Sequence, residues 1–220
     1  MHDSNLLVAA VEELFTGVLS DTLDAAGYRN HAMHPGIRPL DDHLVLCGYA
    51  RTAQYQPAGE GEAGENPYEL EIALVDDLKV SEVAVLACGS TEPVAPWGEL
   101  LSTAAQARGA AGCITDGLVR DTRAIRSMKF PVYHGGIGPL DLKGRAKIVA
   151  LDISVQCGGV FVSPGDLVFG DADGVVVIPR GVEERILRAA FDKVVLEERA
   201  RRELRSGKKL SEVFARLGTT

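Results

Sequence analysis

The spacing of apolar and polar positions divides the chain into elements. Over residues 4–26, Leu6, Leu7, Ala10, Val11 and Leu14 recur at helical spacing. This predicts a helix interrupted near Thr16-Gly17 and stopped at Gly27. Val45 to Tyr55 reads as a strand, with Thr52 and Gln54 set against apolar neighbours. The Gly- and Glu-rich stretch from Gly59 to Asn66 is expected to be a solvated loop or an approach to a site. Tyr68 to Asp77 predicts a short amphipathic helix with Leu70, Ala73 and Leu74 as its apolar stripe. Two continuous apolar runs follow, from Val83 to Cys88 and from Ala111 to Thr115, fit for buried strands. An Ala-rich helix from Gly98 to about Arg108 lies between them, and the second run ends at Asp116-Gly117. Phe130 to Tyr133 is a brief strand leading into His134-Gly135-Gly136-Ile137-Gly138.

The last third changes character. Ala146–Ile153, Val160–Val162, Leu167–Gly170 and Gly174–Ile178 read as strands. They are separated in part by Pro164-Gly165-Asp166 and Asp171-Ala172-Asp173-Gly174, both of turn composition. Gly181 to Lys209 reads as one long helix, with Ile186, Leu187, Ala190, Phe191, Val194 and Val195 on its apolar face. Its far half, from Glu197 to Arg205, is charged. Alternating strands and helices over 220 residues predict an α/β fold with room for one sizeable core.

Composition narrows the function classes. Hydrophobic content of 46% and charged content of 25% suit a soluble globular protein. A formal net charge of -8 argues against a general nucleic-acid binder, which needs a basic face. No apolar run approaches the length of a membrane span, and no signal peptide is evident, so a cytoplasmic protein is expected. Cys47, Cys88, Cys113 and Cys157 lack C-x-x-C spacing and sit mostly in apolar runs, so buried free thiols are expected. His31, His34 and His43 suit neither one helical face nor a zinc finger and are expected at turns or on the surface. Asp171-x-Asp173-Gly174 lacks the later positions of a calcium loop and reads as a hairpin turn. The glycines after His134 form no G-x-G-x-x-G, so no dinucleotide site is expected. His134 itself reads as a hydrogen-bonded loop histidine.

The candidate chemistry lies in residues 86–121. A helix starting near Gly98 offers free backbone N–H groups and a positive dipole end, which suit a carboxylate or phosphate. Gly98 has no Cβ, so a ligand can approach its backbone. Arg120 can bind a carboxylate or steady an oxyanion, and the adjacent Asp121 can ligate a hard divalent cation. Taken alone, a bare Arg-Asp pair reads first as a helix cap with a surface ion pair.

Further motifs set this stretch in context. Gly98-Glu99-Leu100-Leu101 precedes Asp116-Gly117-x-x-Arg120-Asp121, with twenty residues between Glu99 and Arg120. Ser20-Asp21-x-Leu23-Asp24-x-x-Gly27 precedes it. Pro139-Leu140-Asp141-x-Lys143-Gly144-Arg145, Pro164-Gly165-Asp166-Leu167-Val168 and Asp171-x-Asp173-Gly174-Val175-Val176-Val177-Ile178-Pro179 follow. Together they resemble the 4-hydroxy-4-methyl-2-oxoglutarate aldolase family, which shares its fold with the regulator of ribonuclease activity A (RraA-like) proteins.

That resemblance implies a single domain over residues 1–220, a layered β/β/α sandwich of swivelling-domain type, with 181–217 as a C-terminal helical arm. It implies a homotrimer or a hexamer of two trimers. The implied activity is a divalent-metal-dependent aldolase with oxaloacetate decarboxylase activity, acting on small 2-oxo acids and releasing pyruvate. Asp121 would be the direct ligand of Mg2+ or Mn2+, and Arg120 would bind substrate and stabilise the enolate oxygen. The N–H groups of Gly98, Glu99, Leu100 and Leu101 would hold the pyruvyl carboxylate. Glu99 stands where the family's aldolases carry Asp, and would act through a metal-bound water. Glu198, with Glu197 as runner-up, would approach the metal from a neighbouring subunit. The alternative is a non-catalytic regulator that binds a ribonuclease or another protein. A methyltransferase is not expected, because no Gly-rich nucleotide loop follows the first strand.

Overall fold

The computed structural model describes residues 4–58, 66–89 and 93–217. The expectation for Gly59 to Asn66 falls outside them except for Asn66. Helices α1 (Ser4–Glu13) and α2 (Thr16–Ala25) open the chain, broken at Leu14-Phe15, and Gly27 follows α2 with φ +90°. Then come β1 (Arg38–Pro39), β2 (Leu46–Pro57), α3 (Glu69–Asp76), β3 (Glu82–Ala87), α4 (Glu99–Ala107) and β4 (Gly112–Val119). They are followed by α5 (Thr122–Met128), β5 (Val132–Ile137), β6 (Ala146–Leu151), β7 (Val155–Cys157) and β8 (Val160–Val162). The last elements are β9 (Leu167–Asp171), β10 (Gly174–Ile178), α6 (Glu183–Arg205) and α7 (Leu210–Leu217).

The main sheet runs β1-β5-β4-β3-β2-β9-β10. β2, β3, β4 and β5 are mutually parallel, and α3, α4 and α5 make the crossovers. The far edge of β2 is shared: β9 pairs with Leu46–Tyr49, and β6 with Ala53–Pro57, with a register shift between Gln54 and Tyr55. Side-chain alternation assigns the two faces. Ala84 and Leu86 join the core under α3, α4 and α5. Val83, Val85 and Ala87 face the opposite core, which includes the β7–β8 hairpin. A third core packs α1, α2 and α6 against Cys47, Tyr49, Leu167, Phe169, Val176 and Ile178. The α/β fold, its layers and the long C-terminal helix are as the sequence leads one to expect.

All four cysteines are free and buried. Burial pushes the Cys47 and Cys88 thiols up to about 12, and holds Cys113 and Cys157 well above the ordinary thiol value.

His134 is not a hydrogen-bonded loop histidine: it is buried within β5, 8% exposed, and its Nδ1 has no hydrogen-bond partner among the described residues. Five further details differ from expectation. The buried stripe of α3 is Glu71, Leu74 and Val75, while Leu70 and Ala73 are exposed, because a carboxyl partnered by Tyr55 replaces an apolar contact. β4 continues past Asp116-Gly117 to Val119 through a bulge. β6 stops at Leu151, where Asp152 turns with φ +52°, and β7 pairs β8 across Gly158-Gly159. Both of those glycines have positive φ, as a tight hairpin turn requires. His31 is 4% exposed, its ring fixed by Ser20 Oγ at 2.8 Å and Tyr28 O at 2.6 Å.

The fifth is the C-terminus. α6 ends at Arg205, not Lys209. Gly207, at φ +88°, donates its N–H to Leu204 O, and Lys208 N–H goes to Glu203 O, closing the helix in a left-handed turn. α7 then folds back on α6, burying Val213 and pairing Arg216 with Glu203.

Candidate active site

In a parallel sheet, ligands bind beyond the carboxyl ends of the strands. Here β3, β4 and β5 deliver residues 93–98, Arg120-Asp121 and the 138–145 connection to one region. Val94 O accepts from Leu118 N–H at 2.9 Å, Trp97 O from Arg120 N–H at 3.0 Å, and Leu140 O from Ala95 N–H at 2.8 Å. Backbone pairing therefore stitches three loops into one wall. Trp97, wholly buried, anchors it: Nε1 donates to Ser102 Oγ at 2.8 Å, Ser102 Oγ donates to Gly98 O at 2.9 Å, and the ring stacks on Phe130. Truncating such a residue to Ala costs about 3–5 kcal/mol.

A cavity of about 260 Å³ opens over this wall. Gly98, Glu99, Leu100, Leu101, Arg120 and Asp121 all line it, joined by Tyr68, Glu71, Trp97 and Asp141. Gly98 has extended backbone that any residue adopts. Its requirement is steric: a Cβ there would lie 2.7 Å from Asp121 Oδ2 and 3.2 Å from Arg120 Cγ.

Asp121 is left-handed, at φ 56° and ψ 30°, a conformation costing a non-glycine residue about 1–2 kcal/mol. It does not cap its own helix. Its Oδ2 accepts the Glu99 N–H at 3.2 Å and so caps α4. The first-turn N–H of Glu99, expected to hold a ligand carboxylate, is thus taken by Asp121. Those of Leu100 and Leu101 have no acceptor within the helix, by helix geometry. The Arg120 guanidinium lies between two carboxylates, Nε 3.9 Å from Asp121 Oδ2 and Nη1 3.4 Å from Asp141 Oδ1. The Glu99 carboxylate leans along its own helix, Oε1 accepting from Thr103 Oγ1 at 3.0 Å.

Glu198 is not among the residues lining this cavity in one chain. It lies on the far half of α6, paired with Arg201 and with Arg202 at 3.9 Å. A separate group, Asp41, Asp42 and His43, brings possible metal ligands within 4.8 Å of one another on an exposed loop.

Glu71 has no counterpart in the sequence reading, and neither do the roles of Tyr55 and Tyr68. Tyr55 OH donates to Glu71 Oε1 at 2.7 Å, and Tyr68 OH to Asp141 Oδ2 at 2.5 Å. Burial pushes the Glu71 carboxyl up to about 7, against the Tyr55 hydrogen bond. Burial also acts to raise Asp141, but hydrogen bonds from Tyr68 and Leu142 N–H and the charge of Arg120 leave it below the usual carboxylate value. The bond to Asp141 takes the Tyr68 phenol up to about 12. An acid at the three- and four-residue spacing of Leu74, Val75 and Leu78 was the available signal for Glu71.

Residues 16–177 match the model of the RraA-like family, described as Aldolase/RraA. The chain belongs to the RraA-like family. A provisionally named 4-hydroxy-4-methyl-2-oxoglutarate aldolase of Halalkalibacterium halodurans is 34% identical over 184 residues, covering 83% of this chain and 81% of that protein. Protein DlpA of Legionella pneumophila is 30% identical over 88% of this chain, which spans only 31% of DlpA. Among solved structures, an uncharacterized Pseudomonas syringae protein superposes with a TM-score of 0.83 at 26% identity, covering 96% of this chain and 97% of that one. Streptomyces coelicolor RraAS2, described as an unusual member of the RNase ES inhibitor RraA family, gives 0.79 at 29% identity, with 90% and 96% covered. No helix among the described residues of this RraA-like chain is long and apolar enough to cross a membrane.

Proposed function

We propose that this protein is a divalent-cation-dependent carbon–carbon lyase that cleaves small 2-oxo acids and releases pyruvate. One observation carries the reading: Arg120 and Asp121 stand side by side at the mouth of a cavity that also holds the N-terminus of α4 and a buried carboxyl. The aldolase name of the Halalkalibacterium relative agrees with it.

The donor set fits a hard cation. Asp121 is a carboxylate with half its side chain exposed, beside a cavity with room for waters. Asp121 would hold magnesium or manganese, which supplies Lewis-acid stabilisation of negative charge on a 2-oxo group. Arg120 would bind the substrate carboxylate or the developing oxyanion through its planar fork. The N–H groups of Leu100 and Leu101 would orient the pyruvyl carboxylate. Glu99, once released from Thr103, would position a water beside Asp121. Glu198 would come from a neighbouring protomer of a homotrimer or hexamer.

The competing reading is a non-catalytic regulator that binds a ribonuclease or another protein, favoured by the likeness to Streptomyces RraAS2. One experiment separates the two. Purified protein is screened with magnesium or manganese against oxaloacetate and branched 4-hydroxy-2-oxo acids, reading pyruvate. Release that stops with chelator and returns with metal supports the lyase. No release from any substrate leaves the regulator.

A further inference from the structure

We propose that Glu71 is the proton carrier of this site, the residue that takes and returns the proton moved by carbon–carbon cleavage. The inference rests on the lyase reading above.

Glu71 sits in the first turn of α3, 5% exposed, and lines the cavity that holds Arg120, Asp121 and Asp141. A carboxyl at such a position needs a partner, and Tyr55 OH supplies one at 2.7 Å to Oε1, fixing the orientation of the group. The titratable groups that face it come from several elements: Tyr55 on β2, Tyr68 just before α3, Cys88 after β3, Cys113 and Arg120 on and after β4, and Asp141 after β5. Tyr55, Cys88 and Cys113 are all raised and stay neutral. Charge near Glu71 therefore comes from Asp141 and Arg120, which oppose each other.

The chemistry asks for one group that is both base and acid. In a 4-hydroxy-2-oxo acid, the Glu71 carboxylate takes the C4 hydroxyl proton. The C4–O bond becomes a carbonyl, the C3–C4 bond breaks, and its electron pair passes to the C2 oxygen as the enolate. Glu71 then delivers the same proton to C3, forming the methyl group of pyruvate and regenerating the carboxylate. A carboxyl titrating at about 7 suits both steps at neutral pH. Tyr68, at about 12, and Asp141, held low, keep one protonation state through that range.

The test compares wild type with Glu71→Gln, which is isosteric and still accepts the Tyr55 hydrogen bond. Pyruvate release from 4-hydroxy-4-methyl-2-oxoglutarate is measured with magnesium from pH 5 to 9, and exchange of the pyruvate methyl protons is followed by NMR in D2O. In wild type, kcat/KM is expected to rise with pH through an inflection near 7. Glu71→Gln should lower kcat by about 10²–10⁴-fold, change KM little, remove the inflection and stop methyl exchange. Tyr55→Phe removes a bond that favours the carboxylate, so the inflection should move upward. This second variant reads the same group if Glu71→Gln fails to fold. Unchanged turnover and exchange in folded Glu71→Gln, or an inflection that neither substitution moves, overturns the role of Glu71 alone. A wild-type protein that releases no pyruvate and exchanges no methyl protons overturns the lyase reading and the role of Glu71 with it.

Discussion

Gly98 and Asp121 are mutually exclusive with any side chain between them: a Cβ on residue 98 would stand 2.7 Å from Asp121 Oδ2. The same carboxylate caps α4 through the Glu99 N–H, so the helix start and the loop after β4 are set by one contact. Gly98→Ala should push Asp121 and Arg120 outward without straining the backbone. Both side chains are partly exposed and can move. Catalysis is therefore expected to suffer more than folding, with kcat/KM falling about 10²-fold and Tm shifting by only a few degrees. A variant with native turnover would show that the position of Asp121 is not critical.

Arg120→Lys tests the planar fork. Lysine keeps the charge but cannot face Asp141 and a substrate carboxylate together. The loss of one oxyanion contact predicts a rate lower by roughly 10²–10³-fold. Steady-state kinetics at saturating metal would check it. Near-native kcat would make Arg120 a structural ion-pair residue of Asp141.

Glu71 also predicts a stability profile, independent of any substrate. Its carboxyl is raised from 4.5 to about 7 by burial. Between these values the native state binds more protons than the unfolded chain, so stability falls as pH rises. The full loss above pH 7 is of order 3 kcal/mol, from roughly 1.4 kcal/mol per pKa unit. Glu71→Gln should therefore gain on wild type as pH increases from 4.5 to 8, and show no such gain below 4.5. Urea unfolding at several pH values would reveal the difference. A pH-independent difference between the two proteins would mean that Glu71 titrates normally.

A shared site predicts complementation. Asp121→Asn and Glu198→Ala proteins, each impaired, are mixed and allowed to exchange subunits. Mixed oligomers should regain activity, because some interfaces then pair an intact Asp121 with an intact Glu198. Absence of recovery after demonstrated exchange, or full activity in a monomer, would contradict a contribution from the neighbouring α6.

Much of this architecture was legible in the sequence because its strands are continuous apolar runs and its longer helices keep a clear period. Val83–Ala87 and Gly174–Ile178 needed no context. β1 and β7 were not seen, because two or three residues carry no period. α7 was hidden behind the charged end of α6, where a left-handed Gly207 reverses the chain instead of a change in composition. Arg120 and Asp121 were legible as a possible carboxylate-and-cation pair, and it was the resemblance of the surrounding motifs to a known family that raised them above a helix cap. Glu71 did not, since an acid in a helix pattern reads as a solvated face. Its burial depends on Tyr55, sixteen residues away in the chain, and only folding joins them.

The thiols make the protein its own reporter of opening. Cys113 and Cys157 are wholly enclosed, on β4 under the helical face and on β7 against the opposite face. A thiol both enclosed and held far above its ordinary pKa offers a reagent almost no thiolate. Modification of either must then wait for the surrounding structure to part, and its rate measures how often that layer opens. Timed alkylation would thus give two local opening rates from one native sample, one for each side of the sheet, with no probe introduced.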